Sequence, residues 1–119
     1  MTSNQPPQWP AGRILQKARE EASLSKREAA RRAGITPSFY RRIEEGGHLT
    51  NNHFVRVNPS TEKLVASARA VGADVIAVIS ASGRNPADYL RQQLLQKVET
   101  LPNQLLPAAL NLIDELDRQ

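Results

Sequence analysis

The sequence contains no cysteine, and its two histidines, His48 and His53, are five positions apart. The absence of cysteine excludes disulfide bonds, thiolate metal ligands and a thiol nucleophile. A metal site needs more ligands than two histidines, and no carboxylate cluster lies beside them in the sequence. We therefore predict that the protein binds no metal and that both histidines are solvated loop residues.

Long hydrophobic runs are also missing, since no stretch approaches the roughly 20 apolar residues of a membrane-spanning helix. The first ten residues are polar and rich in proline and glutamine, without the apolar segment of a signal peptide. We expect residues 1–9 to form a disordered tail. We also expect the protein to be cytoplasmic and not to associate with membranes. The sequence also lacks a Ser/His/Asp arrangement, a phosphate-binding loop and a carboxylate pair suited to catalysis, so we predict no enzymatic activity and no cofactor.

Positive charge is distributed unevenly along the chain, whose formal net charge is +4. Residues 1–47 carry nine basic and five acidic residues, whereas residues 84–119 carry four basic and five acidic ones. A basic N-terminal portion is expected of a surface that faces a polyanion. A solvated basic surface would explain the same charge.

Capping residues and apolar spacing predict a string of helices without a convincing strand, hence an all-α fold. Residues 10–83 contain five such segments, and residues 48–57 are predicted to be a polar loop between the third and the fourth. The fifth segment, around Val75 to Ile79, is β-branched and also compatible with a strand, although an isolated strand would lack a partner. The predicted helices begin near Pro10, Ser25, Thr36, Asn58-Pro59 and Asp74.

Residues 84–119 form a third region, with two amphipathic helices separated at Pro102. Their apolar residues exceed what a short appendage can bury alone, and an exposed patch of that size is unfavourable in a soluble monomer. We predict that this region forms a homodimer; the alternatives are an interface on the fifth helix, or helices that fold back on the N-terminal core. The predicted dimerisation residues are Leu90, Leu94, Leu101, Leu106, Leu110, Ile113 and Leu116.

The most informative stretch is LSKREAARRAGITPSFYRRIEEG, residues 24–46. Two short helices joined by a tight turn require a small residue where they cross, and Ala30 is at that position. The turn requires a positive φ, which Gly34 adopts without steric cost. Ile35 and Ile43 provide apolar side chains that face inward.

This pattern resembles the lambda-repressor-like helix-turn-helix family, the Cro or XRE class. LQKAREEASLS resembles the first helix of that family, NPSTEKLVASARAVGAD the fourth and VIAVIS the fifth, so the resemblance covers about residues 10–83. It implies a five-helix DNA-binding domain, to which the C-terminal pair of helices is added. The sequence departs from the family at Phe39, where a small or polar residue facing DNA is usual, and at Tyr40, where a small aliphatic residue is usual. The loop after Gly46 is also long for the class.

The resemblance implies that the helix beginning at Thr36 lies in the DNA major groove. Arg41 or Arg42 then binds guanine bidentately, and the start of the second helix contacts phosphate. The alternatives are that these arginines are ordinary solvated charges, and that Phe39 is the core residue while Tyr40 faces outward. The implied DNA-binding residues are Ser25, Lys26, Arg27, Thr36, Pro37, Ser38, Phe39, Arg41 and Arg42.

The resemblance also implies a structural ion pair, because an arginine of the first helix in this family commonly pairs with a glutamate at the end of the recognition helix. The matching residues here are Arg19 and Glu44. Together with Ala30, Gly34 and Ile43 they form the predicted structural set.

As a function, the resemblance implies a sequence-specific transcriptional repressor of a phage or a prokaryotic operon, bound as a homodimer to a palindromic operator in double-stranded DNA. One alternative is an antitoxin that binds a toxin protein and represses its own operon. Another is a protein-interaction module that has lost DNA binding.

Overall fold

The computed structural model describes residues 9–119, which divide into two units, residues 9–85 and residues 86–119. The predicted tail, residues 1–9, lies outside the described residues except for Trp9, which is half-buried against the core. In the described part of the chain, no helix is both long enough and apolar enough to cross a membrane.

The first unit contains five helices, and a side-chain cap sets the N-terminus of each of the last four. Ser25, Thr36, Ser60 and Asp74 each accept a hydrogen bond from the backbone N–H three residues later. The fourth helix therefore begins after Ser60 rather than at Asn58-Pro59, and the β-branched fifth segment is helical. The helices are α1 (Pro10–Glu21), α2 (Lys26–Ala33), α3 (Pro37–Glu45), α4 (Thr61–Val71) and α5 (Val75–Ala81).

The all-α prediction was wrong for residues 48–57, where the structure contains an antiparallel hairpin of β1 (Gly47–Thr50) and β2 (His53–Arg56). Its turn residues Asn51 and Asn52 have φ of 50° and 65°. Two positive φ values are what a tight two-residue hairpin turn requires, and asparagine tolerates them. The polar, half-exposed strands carry little of the hydrophobic alternation by which strands are predicted, which is why the sequence suggested a loop.

The core of the first unit lies where α1 packs on α5 and α3, and where α2 and α4 pack together. Its largest fully buried side chains are those of Tyr40, Leu15, Ile43, Leu64 and Ile79. Ala30 is also fully buried, at the small-residue position predicted for the crossing of two helices. This core fixes the orientation of α3 relative to the other helices.

Gly12 permits a close backbone approach in this core, between α1 and the end of α3. A Cβ atom at Gly12 would lie 2.0 Å from the backbone oxygen of Glu44. We expect Gly12→Ala to lower the free energy of unfolding by about 1–3 kcal/mol, because the overpacking outweighs the gain in helix propensity. Urea denaturation measures this effect. The control is Gln16→Ala, an exposed position of the same helix that should change stability by less than about 0.5 kcal/mol; equal stability of the two variants would contradict the close approach.

The second unit consists of α6 (Ala87–Thr100), a single 3₁₀ turn (Asn103–Leu105) and α7 (Leu106–Asp117). Pro102 separates the two helices, as predicted. Neither α6 nor α7 has a buried residue, and the two helices make almost no contact with each other. This unit therefore has no hydrophobic core of its own.

Candidate nucleic-acid interface

The turn between α2 and α3 is formed by three residues with distinct roles. Gly34 ends α2 in the left-handed conformation, with φ of 73°. The side chain of Thr36 accepts a hydrogen bond from the backbone N–H of Phe39 at 3.1 Å, and Pro37 occupies the first turn of α3. The sequence therefore determines a short, rigid connection that holds α3 at a fixed angle to α2.

The two faces of α3 differ sharply in exposure. Tyr40 and Ile43 are completely buried, whereas Arg41 and Arg42 are exposed on the opposite face. Burial raises the pKa of the Tyr40 phenol, so this side chain is neutral at physiological pH. The structure thus places Tyr40, and not Phe39, in the centre of the core.

Phe39 lies at the edge of the exposed face of α3, half-buried against the core. The Lys63 ammonium, from the first turn of α4, is 4.9 Å from the centre of the Phe39 ring. This distance permits a cation–π interaction. Lys63 was not among the residues predicted from the sequence, because the pairing depends on how α4 packs and not on a local motif.

A bidentate ion pair attaches the C-terminal end of α3 to α1. Arg19 Nε donates to Glu44 Oε2 at 2.9 Å, and Arg19 Nη2 donates to Glu44 Oε1 at 2.8 Å. A third guanidinium N–H, on Nη1, donates to the backbone oxygen of Leu24 at 2.9 Å. The hydrogen bond to Glu44 raises the pKa of Arg19, so the guanidinium stays charged although it is buried. The pair therefore helps to fix the position of α3.

The N-terminal end of α2 presents the three residues that the resemblance assigned to phosphate. Ser25 caps the helix by accepting from the backbone N–H of Glu28 at 3.0 Å. Lys26 Nζ lies 3.6 Å from Glu45 Oε1, which is at the end of α3, and Arg27 is exposed. Part of the positive charge at this end of α2 is therefore offset by Glu45.

Arg31 and Arg32 form ion pairs on the surface of α2. Both guanidinium groups donate to the carboxylate of Glu28, and these hydrogen bonds lower the pKa of Glu28 to about 2. The two arginines are thus engaged in ion pairs within their own helix.

The predicted DNA-binding residues all lie at the surface of the α2–α3 pair. Lys26 and Phe39 are half-buried, and the others are exposed: Ser25, Arg27, Thr36, Pro37, Ser38, Arg41 and Arg42. Two neighbouring features, Lys63 and the β1–β2 hairpin, were not predicted from the sequence.

The surface just described lies within a region that matches a known protein family. The sequence model of a helix-turn-helix domain family matches residues 11–78, more than half of the chain. This match spans α1 to α4 and the first half of α5. No curated protein and no solved structure matches the chain.

Proposed function

Because the chain belongs to this helix-turn-helix domain family, we propose that it is a sequence-specific DNA-binding regulator that reads the major groove with α3. The observation that carries the proposal is the division of α3 into two faces. Tyr40 and Ile43 attach the helix to the core, while Arg41 and Arg42 remain exposed with no carboxylate paired to them in the described part of the chain.

The finer assignment is a transcriptional repressor of the Cro or XRE class, from a phage or a prokaryotic operon, acting in the cytoplasm without enzymatic activity. The motif of residues 24–46 supports this class. The protein binds a palindromic operator as a homodimer, because a single module contacts few base pairs and paired half-sites one DNA turn apart supply the remaining affinity.

Selection of bound sites from random duplex DNA tests the proposal. The expected result is a sequence motif made of two inverted half-sites, with centres about 10 base pairs apart or a multiple of that spacing. Enrichment of a single half-site would support sequence-specific DNA binding but would contradict binding as a homodimer. A pool that shows no enrichment after repeated rounds would reject sequence-specific binding.

Substitution of the exposed arginines of α3 tests the groove assignment. Arg41→Ala or Arg42→Ala should weaken binding to the selected site by about 1–3 kcal/mol and relax selectivity at one base pair. Lys26→Ala is the matched comparison, since a phosphate contact should weaken all duplexes alike and reduce the salt dependence. Fluorescence anisotropy at several salt concentrations measures both effects. A double Arg41→Ala/Arg42→Ala variant that binds as tightly as wild type would contradict the assignment.

A second candidate function is an antitoxin, favoured by the unburied apolar surfaces of α6 and α7. Such surfaces suit a protein partner as well as a second copy of the chain. A small toxin gene beside this one, and co-purification of its product through residues 86–119, would support this alternative. If residues 86–119 bind only a second copy of this chain, the antitoxin function would be contradicted.

A further inference from the structure

The aromatic ring of Phe39 lies on α3, and the function proposed so far gives it no chemical role. The sequence departs at this position from the family that it resembles. The backbone here is fixed, because the Phe39 N–H donates to Thr36 Oγ1 at 3.1 Å in the cap of α3. Phe39 therefore belongs to the first turn of α3, the part of a recognition helix that contacts base edges.

The Phe39 ring lines an open cleft of about 430 Å³ beside the turn between α2 and α3. Gly34, Ile35 and Thr36 line this cleft from the turn, and Lys63 lines it from α4. Ile35 and Phe39 are both half-buried, so each still presents part of its apolar side chain to solvent. The cleft thus offers an apolar surface at the N-terminal end of α3.

Lys63 holds the Phe39 ring in one orientation. Its ammonium lies 4.9 Å from the ring centre, within the range of a cation–π interaction. Ser60 caps α4 by accepting from the Lys63 N–H at 3.2 Å, as Thr36 caps α3. The backbone of each partner is therefore fixed by a helix cap, and the ring and the ammonium meet from two defined helix ends.

The major groove of DNA offers an apolar surface one kind of partner. The 5-methyl group of thymine is the apolar group on this edge of the base pairs, where the other groups are hydrogen-bond donors and acceptors. 5-Methylcytosine carries the same methyl group on the same ring atom. Because a phenyl ring carries no conventional hydrogen-bond donor or acceptor, Phe39 can distinguish bases by contact with this methyl group.

We propose that Phe39 is a specificity-determining residue that recognises the 5-methyl group of a pyrimidine in the bound site, and that Lys63 positions its ring. This inference rests on the proposed function, since α3 must lie in the major groove. The site accepts thymine and 5-methylcytosine alike, so methylation of a cytosine at this position strengthens binding.

The test changes single methyl groups of the DNA and leaves the protein intact. Each thymine of the selected duplex is replaced in turn by deoxyuridine, and fluorescence anisotropy measures the affinity of the full-length protein. We expect one position where loss of the methyl group weakens binding about fourfold, as removal of one buried methyl group predicts. In a duplex with a C·G pair at that position, conversion of the cytosine into 5-methylcytosine should strengthen binding by a similar factor.

Protein variants assign this methyl effect to a side chain. Phe39→Ala should reduce it to less than about 1.5-fold, because the apolar contact is lost. The matched control is Phe54→Ala, which truncates the other phenylalanine of the chain, also half-buried, and should leave the methyl effect unchanged. Circular dichroism verifies that the variants are folded.

Variants of Lys63 test the positioning role. Lys63→Gln removes the cation from the ring and should reduce the methyl effect to less than about twofold, whereas Lys63→Arg keeps a cation there and should retain the effect. If Lys63 acted only through a phosphate contact, Lys63→Gln would weaken binding to duplexes with and without the methyl group alike.

The outcomes separate this inference from the proposed function. If wild type binds its selected site but no methyl group changes the affinity, or the effect persists in Phe39→Ala, the methyl contact is rejected and groove reading by α3 is retained. An unchanged effect in Lys63→Gln would reject the positioning role, and it remains measurable if Phe39→Ala does not fold. A response to thymine alone would reject 5-methylcytosine as a ligand. Failure of wild type to bind any duplex would reject the proposed function and this inference with it.

Discussion

Glu44→Ala is expected to lower the free energy of unfolding by about 3–5 kcal/mol, as removal of one partner of a buried ion pair does. The side chains of Arg19 and Glu44 are 11% and 2% exposed, so the remaining guanidinium would be charged with little access to water. Its hydrogen bond to the Leu24 oxygen satisfies a single N–H group and leaves two others without their acceptor. In a domain of this size each kcal/mol shifts the Tm by roughly 4–8 °C.

An exposed ion pair of the same chain supplies the control for this prediction. Arg118 Nη1 lies 2.7 Å from Glu115 Oε1, but these side chains are 70% and 67% exposed. Glu115→Ala should therefore change stability by less than about 1 kcal/mol. A fall of only a degree or so in the Tm of Glu44→Ala, equal to that of Glu115→Ala, would show that the α1–α3 pair contributes no more than an exposed one.

The sequence identified the helix-turn-helix because its determinants are local. Ser25, Gly34, Thr36 and Pro37 set helix ends through their own backbone and side-chain geometry, and the structure shows each of them in that role. Arg19 and Glu44 are 25 positions apart and were paired only through the family resemblance, yet the structure brings them into contact.

Features that depend on tertiary packing could not be predicted from local sequence patterns. The hairpin requires glycine at position 47, where a Cβ atom would lie 2.1 Å from the Val55 oxygen, and it is closed by a hydrogen bond from the Val57 N–H to the Gly46 oxygen. A short hairpin is marginal in isolation. Gly12 is read from the sequence as an ordinary helix residue, because only the packing of α1 on Glu44 reveals that a Cβ atom would not fit. Lys63 likewise joins the candidate interface only because the packing of α4 places its ammonium over the Phe39 ring.

Removal of residues 86–119 is expected to convert the protein from a dimer into a folded monomer. The fragment ends at Asn85 because the Arg84 guanidinium donates to Asn58 Oδ1 at 3.0 Å and also to the Pro59 oxygen, so Arg84 belongs with the first unit. These hydrogen bonds attach Arg84 to the segment that precedes α4 in the first unit. The fragment should retain its helical circular dichroism and scatter light as a monomer.

The same truncation is expected to weaken binding to a palindromic duplex by about 10²–10⁴-fold, the gain that linkage of two binding modules can provide. Binding to a duplex with a single half-site should change little. Since α6 and α7 bury no residue within their unit, their leucines gain a partner only from outside it. In the proposed dimer, pairing with the twofold copy would bury them and would bring two α3 helices to one palindrome.

Point variants of the full-length chain distinguish this dimer from the competing arrangements. Leu94 and Leu110 are 61% and 59% exposed, so Leu94→Glu and Leu110→Glu should leave each protomer folded and dissociate the dimer. Ile76→Glu, at an exposed position of α5, is the matched comparison and should leave the dimer intact. If the fragment that ends at Asn85 still dimerises and Ile76→Glu dissociates it, the interface lies on α5. If that fragment instead unfolds, α6 and α7 complete the hydrophobic core of the first unit. The apolar surface that was predicted to join two copies then packs within one protomer.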